Sequence, residues 1–240
     1  MEAVGTVVAA RRRVHDAIRA DILAVARQQL ATQGAAALSL RAVARELGMV
    51  SSAIYRYFPS RDELLTALIV EGYDAMGEVA ERAAEACKGG PAITFRTVCH
   101  AVRAWALEHP QEYALLYGSP VPGYEAPGFT VGPASRVPTA LARIVVQLND
   151  AGELGEPDGP TLSKGMVAEA RAIRDAVMPG VALPIVARAL AVWVLLFGHL
   201  DFEVFGRFDM KTSNPEAMFD YLLGLMGSMV GIRQRPATQG

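Results

Sequence analysis

The chain has 240 residues, 52% of them hydrophobic and 7% aromatic, with a formal net charge of −2. That length suits one large domain or two smaller ones with a sizeable core. The near-neutral total argues against nucleic acid, and two cysteines, Cys87 and Cys99, make neither a disulfide scaffold nor a metal-binding spacing. The distribution of charge says more. Through residue 70, nine Arg and Lys stand against six Asp and Glu, a net of +3, while the remainder has fourteen against nineteen, a net of −5. A positive end on an acidic body suits a DNA-binding head with a separate core.

Residues 1–15 lack an apolar face and read as a flexible arm ending in Arg11-Arg12-Arg13. Such an arm suits contact with DNA phosphates or a minor groove, or simple solvation. Its apolar residues precede the arginines and no cleavage pattern follows, unlike a signal peptide. Residues 16–33 form the first expected helix, with Asp16 as cap, Ile18, Ile22, Val25, Ala26, Gln29 and Leu30 along one face, and Gly34 as stop.

Residues 39–63 read as a helix-turn-helix followed by the start of a third helix. Ser39 suits an N-cap, and Leu40, Val43, Ala44 and Leu47 recur at helical spacing. Gly48 follows, where a left-handed residue costs glycine least. The turn Gly48-Met49-Val50 is short, as the motif requires. Ser51 or Ser52 caps a second helix that ends at Phe58, because the residue before Pro59 is biased away from helix. Ser60 and Glu63 have the spacing of a capping box for the third helix. Tyr55 and Tyr57 on so short an element are costly to expose without a task. Their hydroxyls suit phosphate or base edges.

The order Gly34, Ser39-Leu40-Arg41, Ala44, Leu47-Gly48, Ser51-Ser52, Ile54-Tyr55-Arg56-Tyr57-Phe58, Arg61-Asp62-Glu63-Leu64-Leu65 resembles the TetR family of bacterial transcriptional regulators over about residues 16–70. Two positions depart from that pattern. Val50 stands where many relatives carry a polar residue or alanine, and Arg61 where lysine is usual. The resemblance implies an all-α protein with a three-helix DNA-binding head and a helical ligand-binding and dimerisation body. It also implies a third helix that joins head to body and transmits a shift from one to the other. The stretch from Ala104 to Tyr113, with Trp193, Gly198, Glu203 and Gly206, looks like a subgroup named for a Trp-His-Gly signature in the C-terminal domain.

Beyond the head, helices are expected over 60–88, 92–108, 111–117, 135–150, 161–177, 184–205 and 215–230. Gly118 to Pro133 reads as a long ordered loop, residues 152–160 as a Gly, Pro and acidic separator, and the tail from Arg233 as disordered. Asn214 and Pro215 suit the cap and first position of the last helix. Residues 182–200 are the one membrane candidate, but Arg188 and His199 bracket the apolar run, which is too short for a span of about 20 residues. The last two helices are apolar on more than one face and so require cover on both sides. The resemblance implies that they pair with their copies in a homodimer.

The expected domains are a flexible arm at 1–15, a DNA-binding head at 16–62, a ligand-binding and dimerisation body at 63–232 and a flexible tail at 233–240. Ser51, Ser52, Tyr55 and Tyr57 are the expected base readers, and Ser39, Arg41 and Arg61 the expected phosphate contacts. Large side chains with polar tips mark candidates for a ligand pocket: Tyr73, Met76, Phe95, Trp105 and Tyr113, then Tyr117, Tyr124, Phe129, Met166 and His199. Their character suits a small, mostly apolar effector. The four histidines are dispersed, no zinc, phosphate-loop or nucleophile motif is present, and adjacent Cys99 and His100 point apart on one helix. No enzyme activity, cofactor or metal is expected. The expected function is a cytoplasmic, ligand-responsive repressor that binds a palindromic operator on double-stranded DNA. The alternative is a helical small-molecule-binding protein whose head does not serve DNA.

Overall fold

The computed structural model describes residues 2–155, 160–208 and 214–232, with no side-chain description for residues 2–8. Among the described residues there is no β-strand, only an isolated bridge between Leu154 and Ile232. The helices are α1 (Glu2–Gln33), α2 (Leu40–Glu46), α3 (Arg61–Ala86), α4 (Pro91–Glu108), α5 (Pro110–Tyr117), α6 (Val131–Ala134), α7 (Arg136–Asp150), α8 (Lys164–Val177), α9 (Leu183–Val204) and α10 (Pro215–Met229). Short 3₁₀ turns occupy Ala35–Ala37, Ile54–Arg56 and Gly128–Thr130.

The chain divides into two compact units. The first holds residues to Tyr73 together with His109–Pro133, and the second holds Asp74–Glu108 and the chain from Ala134. The division into compact units is discontinuous and does not follow the functional boundary expected at 62/63. Helix α3 contributes its first half to one unit and its second half to the other. The segment 109–133 joins the first unit because its apolar residues pack there: Leu115, Leu116, Val121 and Tyr124 lie against the head's core. Tyr124 Oη and Thr66 Oγ1 are hydrogen-bonded at 2.9 Å, and Tyr73 Oη donates to the Leu116 carbonyl at 3.3 Å.

Two expectations in the head are corrected. Helix α1 begins at Glu2, not at Asp16, and Asp16 is an exposed residue within it, paired with Arg12 at 4.0 Å. A helix already nucleated by its packed half extends at little cost through Ala- and Arg-rich sequence, so the segment read as a flexible arm is helical without an apolar face. The expected second helix is a 3₁₀ turn of three residues. Its i→i+3 bonds run from Arg56 N to the Ala53 carbonyl (3.2 Å) and from Tyr57 N to the Ile54 carbonyl (2.9 Å). Ala53, not a serine, is its N-terminal flanking residue. Runs this short favour 3₁₀ bonding, and Pro59 prevents extension.

The first core gathers Ile22, Leu23 and Ala26 of α1, Leu40, Val43 and Ala44 of α2, Ile54 and Phe58, and Leu64, Leu65 and Leu68 of α3. In the second unit α4 packs on α7, α9 and α10, and α8 packs on α9. Arg136, in the first turn of α7, clamps α3 there: Nη1 donates to Asp74 Oδ1 at 2.8 Å, and Nε donates to Glu81 Oε1 at 3.0 Å. Gly77 permits that approach, since a Cβ there would lie 2.6 Å from the Arg136 Cβ. Arg103 of α4 grips Glu203 of α9 with both forks, at 2.8 and 2.5 Å, and the two side chains are only 14% and 11% exposed.

Helix α9 is long and apolar enough to cross a membrane, with 39% of its most apolar window buried. Its contacts with α4, α7, α8 and α10 account for the buried share. Asn214 caps α10 as expected, its Oδ1 accepting from Ala217 N at 2.9 Å. The residues read as a disordered tail, 233–240, and the middle of the 152–160 separator, 156–159, lie outside the described residues.

Candidate nucleic-acid interface

The site is built from α2, the turn after it and the 3₁₀ segment. Ser39 adopts extended backbone and its Oγ accepts from the Ala42 N–H at 3.4 Å, which fixes the start of α2. Gly48 takes φ +64 and reverses the chain. From there the burial alternates. Ile54 and Phe58 are sunk in the core at 0% and 1% exposure, whereas Val50, Ser51, Ser52, Tyr55 and Arg56 face solvent. The buried pair anchors this short segment, so Tyr55 is presented at 42% exposure on a fixed backbone.

Tyr57 differs from Tyr55. It is half-buried, its ring lies 4.8 Å from that of His15, and its carbonyl accepts from Arg19 Nη1 at 3.3 Å. The same Arg19 guanidinium sits 4.2 Å from the Phe58 ring centroid, so α1 braces the 3₁₀ segment from behind.

Of the residues expected at phosphates, Arg41 is exposed on α2, as is Arg45 one turn on. Arg61 is committed inward. Its Nε donates to the Leu38 carbonyl at 3.1 Å and its Nη2 to the Ala35 carbonyl at 2.8 Å. The lysine usual at this position could not span two carbonyls with a planar fork. Arg45 and Arg56, both exposed cations of this region, are absent from the expected contacts. The available signal was spacing: Arg45 follows Arg41 by about one helical turn, and Arg56 is the neighbour of Tyr55.

The residues expected to line a ligand pocket are divided between the two compact units. Tyr73, Tyr113, Tyr117, Tyr124 and Phe129 belong to the first unit. There Tyr73 meets Tyr117 edge-on at 5.9 Å and Phe129 is 67% exposed. Met76, Phe95, Trp105, Met166 and His199 belong to the second. His199 is buried among Phe208 and Phe219, with Nε2 3.5 Å from Glu203 Oε2, and burial pushes its imidazole below the usual value. The second unit contains a cavity of about 290 Å³ between α7, α8 and α9, and of the expected residues only Phe95 lines it. Ala142, Val145, Val186 and Ala189 leave that space because they are small.

This arrangement defines a helix-turn-helix regulator: a supported segment with polar and aromatic side chains presented outward, on a head separate from a larger helical unit. The family model described as bacterial regulatory proteins of the tetR family matches residues 22–68. The model described as the tetracyclin repressor-like C-terminal domain matches residues 95–226, the region of the Trp-His-Gly resemblance. An HTH-type transcriptional regulator of Mycobacterium tuberculosis is 40% identical over 215 residues, covering 88% of this chain and 91% of the relative. The crystal structure of SCO4313, described as a regulatory protein, superposes with a TM-score of 0.74 at 34% identity, covering 90% of this chain and 97% of the other. A tetR-family regulatory protein from Rhodococcus RHA1 shares the fold, with a TM-score of 0.60 at 20% identity over 90% and 98% of the two chains. The chain belongs to the TetR family of transcriptional regulators.

Proposed function

We propose that this regulator is a cytoplasmic, ligand-responsive repressor that binds a palindromic operator as a homodimer and is released by a small, mostly apolar effector. The observation that carries the reading is the alternation in residues 50–58, where buried Ile54 and Phe58 hold Ser51, Ser52 and Tyr55 toward solvent. These exposed groups read base edges, with Tyr57 at the margin of the contact. Arg41, Arg45 and Arg56 engage phosphates, and Ser39 and Arg61 position the elements that carry them.

Dimerisation is supported by apolar residues left exposed on the last two helices. Leu195 and Phe202 of α9 and Tyr221 and Leu225 of α10 are 40%, 48%, 71% and 48% exposed. A two-fold axis through that surface would present two heads to half-sites about 34–36 Å apart. Response to an effector is supported by the cavity in the second unit and by α3, one unbroken helix from Arg61 to Ala86 that enters both units. By linkage, an effector that weakens DNA is itself weakened by DNA by the same factor.

The test is enrichment of duplexes from a random library, followed by sedimentation of the complex at two salt concentrations. A palindromic site bound by two protomers, with affinity falling steeply as salt rises, supports the reading. A folded protein that enriches nothing and binds duplex DNA no better than the acidic second unit alone would lead one to expect contradicts it.

A further inference from the structure

The cavity of the second unit has a wall of unusual uniformity. Leu141, Ala142, Val145, Ile173, Val186 and Leu190 represent its character. Among the described residues no charged side chain lines it, and of the lining side chains only Ser135, Thr139 and Trp193 carry an O–H or N–H. An ion entering such a space would lose its hydration without a counter-charge, a large penalty. Its occupant is therefore uncharged. Size follows from volume: an apolar cavity of about 150 Å³ accepts benzene, so 290 Å³ suits a molecule of about twelve non-hydrogen atoms, two fused rings in extent.

Trp193 supplies the remaining constraint. Its ring forms part of the cavity lining, and its Nε1 is buried with no hydrogen-bond acceptor among the described residues. A buried donor without a partner is costly, and an indole N–H can only donate. The nitrogen has no accessible surface of its own, so the ring must turn slightly to meet an incoming acceptor.

We propose that this cavity binds a neutral, mostly apolar molecule of about two fused rings that carries a hydrogen-bond acceptor, and that Trp193 is the residue that recognises that acceptor. This names the effector class of the reading above and rests on it for its regulatory meaning, though not for binding itself.

The experiment uses the full chain and three probes of one shape: the ketone α-tetralone, the hydrocarbon tetralin and the naphthoate anion. Affinity is read by calorimetry, and the indole N–H of Trp193 by NMR, assigned with Trp193→Phe. The expected result is α-tetralone binding about tenfold tighter than tetralin, the worth of one buried hydrogen bond, and naphthoate weakest. The Trp193 indole proton moves downfield with the ketone only. Trp193→Phe removes the ketone's advantage while tetralin is retained, and Ala142→Leu, which fills the space, weakens both.

Equal affinity for ketone and hydrocarbon, an unmoved indole proton, preference for naphthoate, or no binding by any probe would overturn the proposal. Should Trp193→Phe not fold, the wild-type probe ranking and the Ala142→Leu variant decide. Failure here with salt-dependent operator binding intact would leave the regulatory reading standing. Ketone binding by a protein that recognises no DNA would do the reverse.

Discussion

Arg61, the first residue of α3, donates from Nη2 to the carbonyl of Ala35 at 2.8 Å. With the second bond from Nε to the Leu38 carbonyl, it ties the turn before α2 to the helix that follows the 3₁₀ segment. Its role is to hold the geometry of the head. Arg61→Ala should destabilise the protein by about 1–2 kcal/mol, since two carbonyls lose a charged donor, and urea titration would show it. Unchanged stability with a flatter salt dependence of DNA binding would instead make Arg61 a phosphate ligand.

Ile54 and Tyr55 are neighbours with opposite duties. Ile54 is fully buried, so Ile54→Ala should cost about 2–5 kcal/mol of stability through the cavity left behind. Tyr55→Ala should leave stability within about 0.5 kcal/mol and cut operator affinity about tenfold or more, in line with the worth of a base contact. Denaturation and DNA titration on the same two variants separate the effects.

Arg103 and Glu203 form a pair that is nearly closed to solvent, and the ion pair holds the Arg103 guanidinium charged above its usual range. Arg103→Met leaves Glu203 with only the more distant His199 beside it and should cost about 3–5 kcal/mol. Replacing both residues with apolar ones of similar size should recover most of that loss, as a double-mutant cycle would show.

His199 gives the fold a dependence on pH. Burial lowers its folded pKa below the ordinary 6.5, opposed by the Glu203 carboxylate and reinforced by Arg103. The unfolded chain therefore takes up a proton first. The contribution is whole above the unfolded value and is lost as pH falls from about 6.5 through the folded value. Thermal melts between about pH 8 and pH 5 should show wild-type stability declining in the acid range, with a shallower decline in His199→Leu.

Leu225 lies on the exposed face of α10 at 48% exposure. Leu225→Glu should leave the circular dichroism of the protomer unchanged and shift sedimentation from dimer to monomer, because a desolvated carboxylate is not tolerated at an apolar interface. A dimer unaffected by this change would place the contact elsewhere.

The sequence carried the helical framework because each main helix has a face or a stop that is written locally. Gly34 and Gly48 as helix stops, Ser39 and Asn214 as caps, and Pro215 in a first turn were all readable in advance. What escaped depended on distance or size. The inward turn of Arg61 is fixed by carbonyls 23 and 26 residues away. The attachment of 109–133 to the first unit rests on contacts such as Tyr124 with Thr66, 58 residues apart. The cavity is marked by small residues, which leave no signal of their own. The helical extension of α1 to Glu2 follows from propagation of a helix, for which an amphipathic pattern is not required.

Sequence reading by residues 51–57 is open to direct test. The direct measurement is to determine the enriched operator for wild type, then repeat the enrichment with Tyr55→Ala at equal dimer concentration. The wild-type protein should enrich a palindrome, and the variant, still dimeric, should lose base preference at one symmetric pair of positions. The same palindrome bound by the variant with the same affinity and preference would contradict it.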